Sequence, residues 1–286
     1  MNLPVESTQA EEAADRLLEV MRVVGPCAVA FSGGVDSAVV ARAAWELFPE
    51  QAIAVTAVSP SLAAAELEIA RQEASHIGIA HRLIRTDEFD RSEYRANAGD
   101  RCFYCKDTLY ATAEFILRET GLDVMVNGAN LDDRGDHRPG MKAAVAHSIR
   151  SPLIEAGLNK ADVRAVARYW NLSVAEKPAS PCLSSRIAYG VEVTSERVRM
   201  IEEAERCLRE MTEVGVLRVR LEHGEIARIE VPVESLGLFV EPHARERITS
   251  QLLTLGFRQV TLDLQGFRSG SLNAALPVVS LEIQDQ

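Results

Sequence analysis

The sequence is poor in aromatic residues and has no long apolar run, and each shortage excludes a class of protein. Phenylalanine, tryptophan and tyrosine make up 5% of the 286 residues, although apolar residues as a whole make up 47%. A packed core of alanine, valine and leucine is therefore expected. No stretch of about 18 consecutive apolar residues occurs, which excludes a transmembrane helix. The N-terminal segment is acidic and has no secretory pattern, so we expect a cytoplasmic protein that does not bind membranes.

Positive charge is also scarce. Lysine and arginine number 31 against 42 aspartates and glutamates, which gives a formal net charge of −11. A general nucleic-acid-binding protein needs a basic face, so this balance argues against nucleic acid as a partner. Any anionic ligand must be held by a local site.

Cysteines are few and odd in number. The sequence has five of them, and an odd count in a cytoplasmic chain argues against a disulfide framework. Cys27 lies in an apolar stretch and Cys207 in a helical one, so both are expected to be buried as small apolar residues. The other three, Cys102, Cys105 and Cys182, are candidates for metal binding or thiol chemistry.

Apolar stretches alternate with helical patterns over the first 130 residues. Helices are predicted at 9–24, 36–48, 61–78 and 102–121, strands at 27–31, 52–58 and 81–86, and a strand followed by a loop at 123–130. Ser61 is a candidate N-cap, while Gly78 and Gly121 are candidate C-caps. Strands separated by helices of this length predict an α/β fold with a doubly wound, mostly parallel sheet. Ligands of such sheets bind beyond the carboxyl ends of the strands.

The pattern changes after about residue 185. A helix is predicted at 195–211, a hairpin at 216–222 and 225–231, a second helix at 242–254 and a strand at 257–264. These elements indicate a smaller α+β domain. We therefore predict domains at 1–185 and 186–286.

The segment Phe31-Ser-Gly-Gly-Val-Asp-Ser37 joins a predicted strand to a predicted helix. Gly33 and Gly34 allow backbone N–H groups to approach a ligand without a Cβ in the way. Ser32 and Ser37 add hydroxyl groups, and the following helix contributes its positive N-terminus. This pattern predicts a phosphate or pyrophosphate site, and Asp36 would then hold a neutralising Mg²⁺. An ordinary capped turn is the alternative interpretation.

Cys102 and Cys105 form a C-x-x-C pair at the start of a predicted helix, and Cys182 lies far along the chain. This set is compatible with zinc, with an iron–sulfur cluster, with a redox pair or with coincidence. A structural zinc site needs a fourth protein ligand, and no histidine has a supporting spacing. Three thiolates that leave one iron open would suit a 4Fe–4S cluster that binds a further ligand.

The segment Lys-Pro-Ala-Ser-Pro-Cys-Leu-Ser-Ser-Arg surrounds Cys182. Pro178 and Pro181 oppose a helix, so Cys182 is expected on a rigid, extended loop. Nearby Lys177 and Arg186 would favour its thiolate. A thiol of lowered pKa is a nucleophile, although a loop cysteine without a role is the alternative.

The Ser-Gly-Gly-Val-Asp-Ser motif resembles the signature of the PP-loop ATP pyrophosphatase superfamily. Its members have a parallel sheet with helices on both faces, cleave ATP to AMP and pyrophosphate, and adenylate a carbonyl or carboxyl oxygen. The resemblance implies that the adenine lies against the strand that ends at Thr56-Ala57-Val58, and that 127–133 and 138–140 border the site. The implied nucleotide-binding residues are Ser32, Gly33, Gly34, Asp36, Ser37, Thr56, Ala57, Val58, Gly128, Asn130 and Arg138.

Further segments narrow the resemblance to the LarE family, the ATP-dependent sulfur transferases of nickel-pincer nucleotide biosynthesis. They are RCFYCK, NGAN, EKPASPCLSSRI, VRLEHGEIARIEV and LDLQGFRSGSLN, and they extend the match from about residue 10 to about residue 275. The family adenylates a carboxylate of pyridinium biscarboxylic acid mononucleotide and inserts sulfur to form the thiocarboxylate. The resemblance also implies a homo-oligomer, with a hexamer as the expected assembly.

Two sulfur sources are known in this family. In one branch a single cysteine gives up its own sulfur and becomes dehydroalanine, and Cys182 occupies that position. In the other, three cysteines hold a 4Fe–4S cluster that carries an extra sulfide. The presence of Cys102 and Cys105 beside Cys182 in the pattern favours the cluster branch.

Basic residues are expected to bind the substrate. Arg218 and Arg220 lie two apart on a predicted strand and share a face, and guanidinium groups suit phosphate; Arg186 is a further substrate candidate. The alternative is that the two strand arginines are solvated and pair with acidic neighbours. Glu203 and Glu230 are weaker candidates for metal or substrate contacts.

Other functions remain open at this point. Another adenylating enzyme, such as a tRNA thiolase or an amide-forming synthetase, would share the loop. The first would need a basic face, and the second would not need the cysteines. A nucleotide- or zinc-binding protein without catalysis is an alternative from a different class.

Overall fold

The computed structural model describes residues 5–135 and 139–268. Its α-helices α1 to α11 span Val5–Val24, Val35–Leu47, Ala64–Ile77, Ser92–Ala96, Arg101–Thr120, Pro139–Ala146, Pro152–Glu155, Lys160–Tyr169, Ser195–Thr212, Leu236–Val240 and Pro242–Thr254. Its strands β1 to β7 span Ala28–Ala30, Ile53–Val58, Ala80–Arg85, Met125–Val126, Arg218–Glu222, Ile226–Glu230 and Gln259–Leu262. None of the helices in these residues is both long enough and apolar enough to cross a bilayer.

The chain divides into two compact units. The first contains residues 1–94 and 100–181, and the second contains residues 95–99 together with the chain from Cys182 onward. The sequence analysis placed the domain boundary between residues 185 and 186, a few residues after Cys182. It did not anticipate that the short segment Arg95–Gly99 belongs with the second unit.

The first unit is built on a parallel sheet with the strand order β3-β2-β1-β4. The chain runs outward from β1 through β2 to β3, and then returns to pair β4 on the other side of β1. Strand order therefore reverses at β1, and in open α/β sheets the crevice at such a reversal is where ligands bind. This confirms the predicted α/β class and its parallel sheet.

Both faces of this sheet are buried at its β1 strand. Along β1, Val29 and the flanking Cys27 and Phe31 pack into one apolar cluster, which includes residues of α1, α2 and α8. Ala28 and Ala30 pack into a second cluster with residues of α5 and α6. Since successive side chains of a strand point to opposite faces, this alternation shows that helices cover the sheet on both sides.

The helix ends partly follow the predicted signals. Gly78 and Gly121 adopt the left-handed conformation after α3 and α5, with φ of 87° and 70°, as C-cap glycines do. The prediction that Ser61 caps α3 is wrong. Helix α3 begins three residues later, after Ala63, and the Ser61 hydroxyl lies 2.9 Å from the Ser59 hydroxyl.

The second unit has a sheet with the order β5-β6-β7. Strands β5 and β6 form the predicted antiparallel hairpin, and β7 pairs parallel to β6. Helix α9 packs on β5. Asn97, fully buried and at φ 53°, donates its side-chain amide to the carbonyls of Ile187, Ala188 and Val191 at 2.8–3.3 Å. These bonds fix the segment Arg95–Gly99 within this unit.

Candidate active site

The loop between β1 and α2 requires glycine at position 33 for its present geometry. Gly33 has φ 67°, and a Cβ there would lie 2.7 Å from the Cα of Ala70 in α3, so any side chain would force the loop or α3 to shift. Gly34 is the N-cap residue of α2 and has no side chain with which to cap it. The first amides of α2 therefore receive no acceptor from that position, and a helix N-terminus of this kind attracts an anion.

The two serines of the loop have different environments. Ser37 is 5% exposed; its hydroxyl donates to the Gly34 carbonyl at 3.0 Å and accepts from the Ser32 backbone N–H at 3.2 Å. Ser32 is exposed, and its Oγ lies 3.2 Å from Ser37 Oγ. Ser37 therefore supports the loop from its buried side, while the hydroxyl of the exposed Ser32 accepts from the Gly34 backbone N–H at 3.3 Å.

Asp36 forms an ion pair with Lys160, a residue that the sequence analysis did not identify. Its Oδ1 accepts from the Asn130 side-chain amide at 3.0 Å, and its Oδ2 bonds to the Lys160 ammonium. Lys160 lies in the first turn of α8, where Asn159 and Asp162 form a capping box. A lysine in the first turn is unfavourable beside the helix dipole. This unfavourable position, next to a recognisable Asn159 N-cap, is the sequence signal that could have identified Lys160 as a functional residue.

Lys177 does not have the role expected from its place in the sequence. Its ammonium bonds to Glu66 at 2.7 Å and to the Gly33 carbonyl at 3.2 Å, and its side chain is 14% exposed. The predicted contribution of Lys177 to the Cys182 thiolate is replaced by these two bonds within the first unit. These two bonds connect the segment after α8 to the loop at residues 32–37, here called the phosphate loop.

The loop after β4 packs directly on the start of α2. A Cβ on Gly128 would lie 2.7 Å from the Ser37 backbone nitrogen, so only glycine allows this approach. Asn130, 4% exposed, is held in turn by a bond from its backbone N–H to Asp133 Oδ2 at 3.0 Å. The structure thus brings Gly128, Asn130 and Asp36 together, while the predicted Arg138 lies outside the described residues.

At the end of β2, Thr56 holds the loop rather than facing out. Its buried hydroxyl donates to the Phe31 carbonyl at 2.7 Å and lies 2.8 Å from His81 Nε2. Because that hydroxyl proton goes to a carbonyl, His81 must donate from Nε2. Burial lowers the pKa of His81, and nearby Arg71 lowers it further. Ala57 and Val58 are half-buried and are the residues of this strand end with accessible surface.

The three predicted cluster cysteines are divided between the units. Cys102 is exposed and Cys105 is half-buried at the start of α5 in the first unit, whereas the exposed Cys182 belongs to the second. Over residues 5–135 and 139–268, no group of three or more His, Cys, Asp or Glu side chains could hold a metal ion. A 4Fe–4S cluster on these three thiols therefore stays a prediction. The other two, Cys27 and Cys207, are buried as predicted, and burial raises the pKa of Cys27 to about 12.

Magnesium makes smaller demands on the protein. Mg²⁺ typically binds one or two carboxylates and completes its shell with phosphate oxygens and water. Asp36 at the phosphate loop satisfies that requirement. The donor set of the loop therefore fits Mg²⁺, with Asp36 as the residue that would hold it.

The arginines of the second unit differ in how they are neutralised. Arg220 is 7% exposed and forms a two-pronged ion pair with Glu230 at 3.0–3.1 Å. Arg218 forms an ion pair with no carboxylate of the described residues; it donates to the Leu217 carbonyl and lies over the Phe267 ring. Burial lowers the pKa of Arg218 to about 10, and the charge of Arg186 contributes. An anion beside Arg218 would relieve this penalty.

Arg186 and the two weaker glutamate candidates are engaged with other residues. Arg186 is 3% exposed and pairs with the buried Glu205. Glu230 is fully buried between Arg220 and Arg228, and Glu203 pairs with Arg206 on the surface of α9. Glu230 therefore holds the arginines of this sheet together.

Comparison with known proteins agrees with this geometry. The model of a family described as asparagine synthase matches residues 14–114, which include the phosphate loop. Pyridinium-3,5-bisthiocarboxylic acid mononucleotide synthase of Lactiplantibacillus plantarum is 36% identical over 254 residues, 88% of this chain and 91% of that protein. An uncharacterized Synechocystis protein is 42% identical over 87% of this chain and 92% of its own length. A Methanocaldococcus jannaschii protein, also uncharacterized, is 27% identical over 84% of this chain and 90% of its own.

Proposed function

Since the chain belongs to the LarE family of PP-loop, ATP-using sulfur transferases, we propose that it adenylates a carboxylate of pyridinium biscarboxylic acid mononucleotide and replaces a carboxylate oxygen with sulfur. The observation that carries the proposal is the glycine-built loop Ser32–Ser37 at the reversal point of a parallel sheet. The product is a thiocarboxylate of the nickel-pincer pathway.

Adenylation is assigned to the first unit. The backbone N–H groups of the loop and the Lys160 ammonium stabilise the charge of the phosphates as the substrate carboxylate attacks the α-phosphorus and pyrophosphate leaves. Asp36 would hold Mg²⁺, which would supply further neutralisation of the leaving group. The positive charge of Lys160 can pair with Asp36 or with a phosphate. Lys160 therefore orients the Asp36 carboxylate as well as the nucleotide.

Sulfur delivery is assigned to Cys182 in the second unit. Its thiolate attacks the carbonyl carbon of the acyl-adenylate and expels AMP, which leaves the substrate joined to the protein as a thioester. Loss of the Cys182 Cα proton and cleavage of its Cβ–S bond then release the thiocarboxylate and leave dehydroalanine. The exposure of Cys182 supports its role as the attacking thiol. Arg218 forms no ion pair with a carboxylate of residues 5–135 and 139–268, and burial lowers its pKa, which supports a contact with the substrate phosphate.

The cluster-borne alternative makes a different prediction about metal. Anaerobically purified protein should contain iron and sulfide if Cys102, Cys105 and Cys182 hold a 4Fe–4S cluster, and Cys102→Ala should abolish repeated turnover. If Cys182 is the donor, intact-mass measurement after one turnover should show loss of one H₂S from the protein, and Cys102→Ala should leave that loss unchanged. Retention of the full mass by Cys182 after turnover would contradict donation from this residue.

Substrate class and assembly are tested separately. Pyrophosphate release should require the pyridinium nucleotide, and release with tRNA or with ammonia and another acid would indicate a different adenylating enzyme. Light scattering on the intact protein tests the expected homo-oligomer, a hexamer. The cytoplasmic location likewise stays a prediction.

A further inference from the structure

The backbone carbonyl oxygen of Cys182 accepts three hydrogen-bond donors. They are the Ser185 backbone N–H at 2.9 Å, the Ser185 hydroxyl at 2.6 Å and Arg186 Nη1 at 3.0 Å. A turn of this kind needs only the first of them to close. The other two concentrate a hydroxyl and a full positive charge on one peptide oxygen, while the Cys182 side chain stays exposed.

The guanidinium that contacts this oxygen is held in place by a buried carboxylate. Glu205, 2% exposed, accepts from Arg186 Nε at 3.1 Å and from the Val219 backbone N–H at 3.2 Å through one oxygen. Its other oxygen accepts from Arg209 at 2.9 Å. Burial alone would raise the pKa of Glu205, but Arg186 and Arg209 outweigh it and lower the pKa.

We propose that this arrangement is an enolate-stabilising site for the last step of sulfur release, with Arg186 and Ser185 as catalytic residues and Glu205 as a positioning residue. The inference rests on the proposed donation of sulfur by Cys182. When a solvent base removes the Cα proton of the thioester-bearing Cys182, the electron pair moves into the carbonyl and places negative charge on that oxygen. Donors already aimed at this atom stabilise the charge as it develops.

The step balances without an oxidant or reductant. The enolate collapses as the Cα–Cβ double bond forms, and the Cβ–S bond breaks with its electron pair on sulfur. The proton goes to solvent, the thiocarboxylate leaves as the anion, and the protein retains dehydroalanine. The same three donors have no corresponding role in the attack of the thiolate on the acyl-adenylate, so the two steps separate experimentally.

Single-turnover mass spectrometry of the full-length protein tests the assignment. In Arg186→Gln the thioester adduct should accumulate, and dehydroalanine should form roughly a hundredfold more slowly, the scale seen when one oxyanion donor is removed. Ser185→Ala should give the same pattern with a smaller effect and leaves the buried ion pair intact. Pyrophosphate release should slow much less than dehydroalanine formation in both variants.

Arg197→Gln is the matched control. Arg197 also pairs with a glutamate, Glu225, and also donates to a backbone carbonyl, that of Glu192 at 2.9 Å. The Arg197→Gln variant should form dehydroalanine from Cys182 at the wild-type rate. Arg186→Lys, which restores the charge with different geometry, should recover part of the rate.

The outcomes separate this inference from the proposed function. If wild-type Cys182 keeps its sulfur after turnover, the proposed donation is wrong and this inference is wrong with it. If the wild-type protein loses sulfur and folded Ser185→Ala and Arg186→Gln lose it equally fast, only the enolate site is refuted. An equal slowing of pyrophosphate release and dehydroalanine formation would also refute it, because a general structural role predicts that result.

Discussion

Replacement of Gly33 by alanine should weaken both the fold of the first unit and its binding of ATP. The left-handed backbone at φ 67° costs a residue with a Cβ roughly 1–2 kcal/mol. The close approach to α3, 2.7 Å from the Ala70 Cα and 2.9 Å from its Cβ, adds the roughly 1–3 kcal/mol typical of overpacking. The sum of about 2–5 kcal/mol is a large part of the roughly 5–15 kcal/mol that stabilises a typical domain.

Calorimetry measures this loss against a control in the same unit. Gly121→Ala has a similar φ of 70° but nothing within 4 Å of the added Cβ, so it should lose only the backbone part. At about 2–4 °C per kcal/mol, Gly33→Ala should melt roughly 4–20 °C below the wild-type protein. Its ATP affinity should fall at least about tenfold, the equivalent of 1.4 kcal/mol. Equal melting temperatures and unchanged ATP affinity for the two variants would show that the contact with Ala70 does not constrain the loop.

Two further predictions concern charge. Lys160→Met should reduce pyrophosphate release strongly. It should change stability by less than about 1 kcal/mol, since the pair with Asp36 is partly exposed and such pairs contribute little. The control is Arg42→Met, which breaks the exposed Arg42–Glu46 pair of α2, and equal activity of the two variants would count against a role for Lys160. The folded pKa of His81 lies below its ordinary value, so the unfolded chain takes up the proton first and stability is lost as pH falls below about 6.5. Urea unfolding at about pH 7.5 and about pH 5.5 should therefore show a smaller pH effect for His81→Gln than for the wild-type protein. The pH effect of His147 has the opposite sign, because Asp107 and Glu114 outweigh its burial and raise its pKa. This effect is the same in the wild-type and His81→Gln proteins, so it cancels in their comparison. An equal loss of stability in the two proteins would refute the assignment to His81.

The first unit was predictable from sequence to the extent that its signals are local. The small residues between β1 and α2 and the glycines after α3 and α5 specify backbone conformations by themselves. Strand β4 is only two residues long, Met125–Val126, within a predicted strand and loop at 123–130. Pairing of β4 with β1 ends at Val126. The length of a strand depends on its pairing with neighbouring strands, which the local sequence does not specify.

The parts that sequence did not predict depend on contacts between distant residues. Lys160 and Asp36 are 124 residues apart, and no local pattern pairs them. Lys177 looked like a neighbour of Cys182 in sequence, but its charge is neutralised by Glu66, which is 111 residues away. The assignment of Cys102, Cys105 and Cys182 to one cluster stays a prediction, because spacing in sequence does not specify which unit each thiol joins.

Asn97 has a consequence for how this protein is made. Its side chain donates to carbonyls 90, 91 and 94 residues further along the chain, so during synthesis this asparagine leaves the ribosome long before its acceptors exist. The C-terminal portion that begins at Cys182 is therefore not an autonomous module: cut from the chain, it would lose an internal support donated by an earlier segment. A gene fusion or a recombination event at that boundary would separate the asparagine from its acceptors, which favours inheritance of the two units as one.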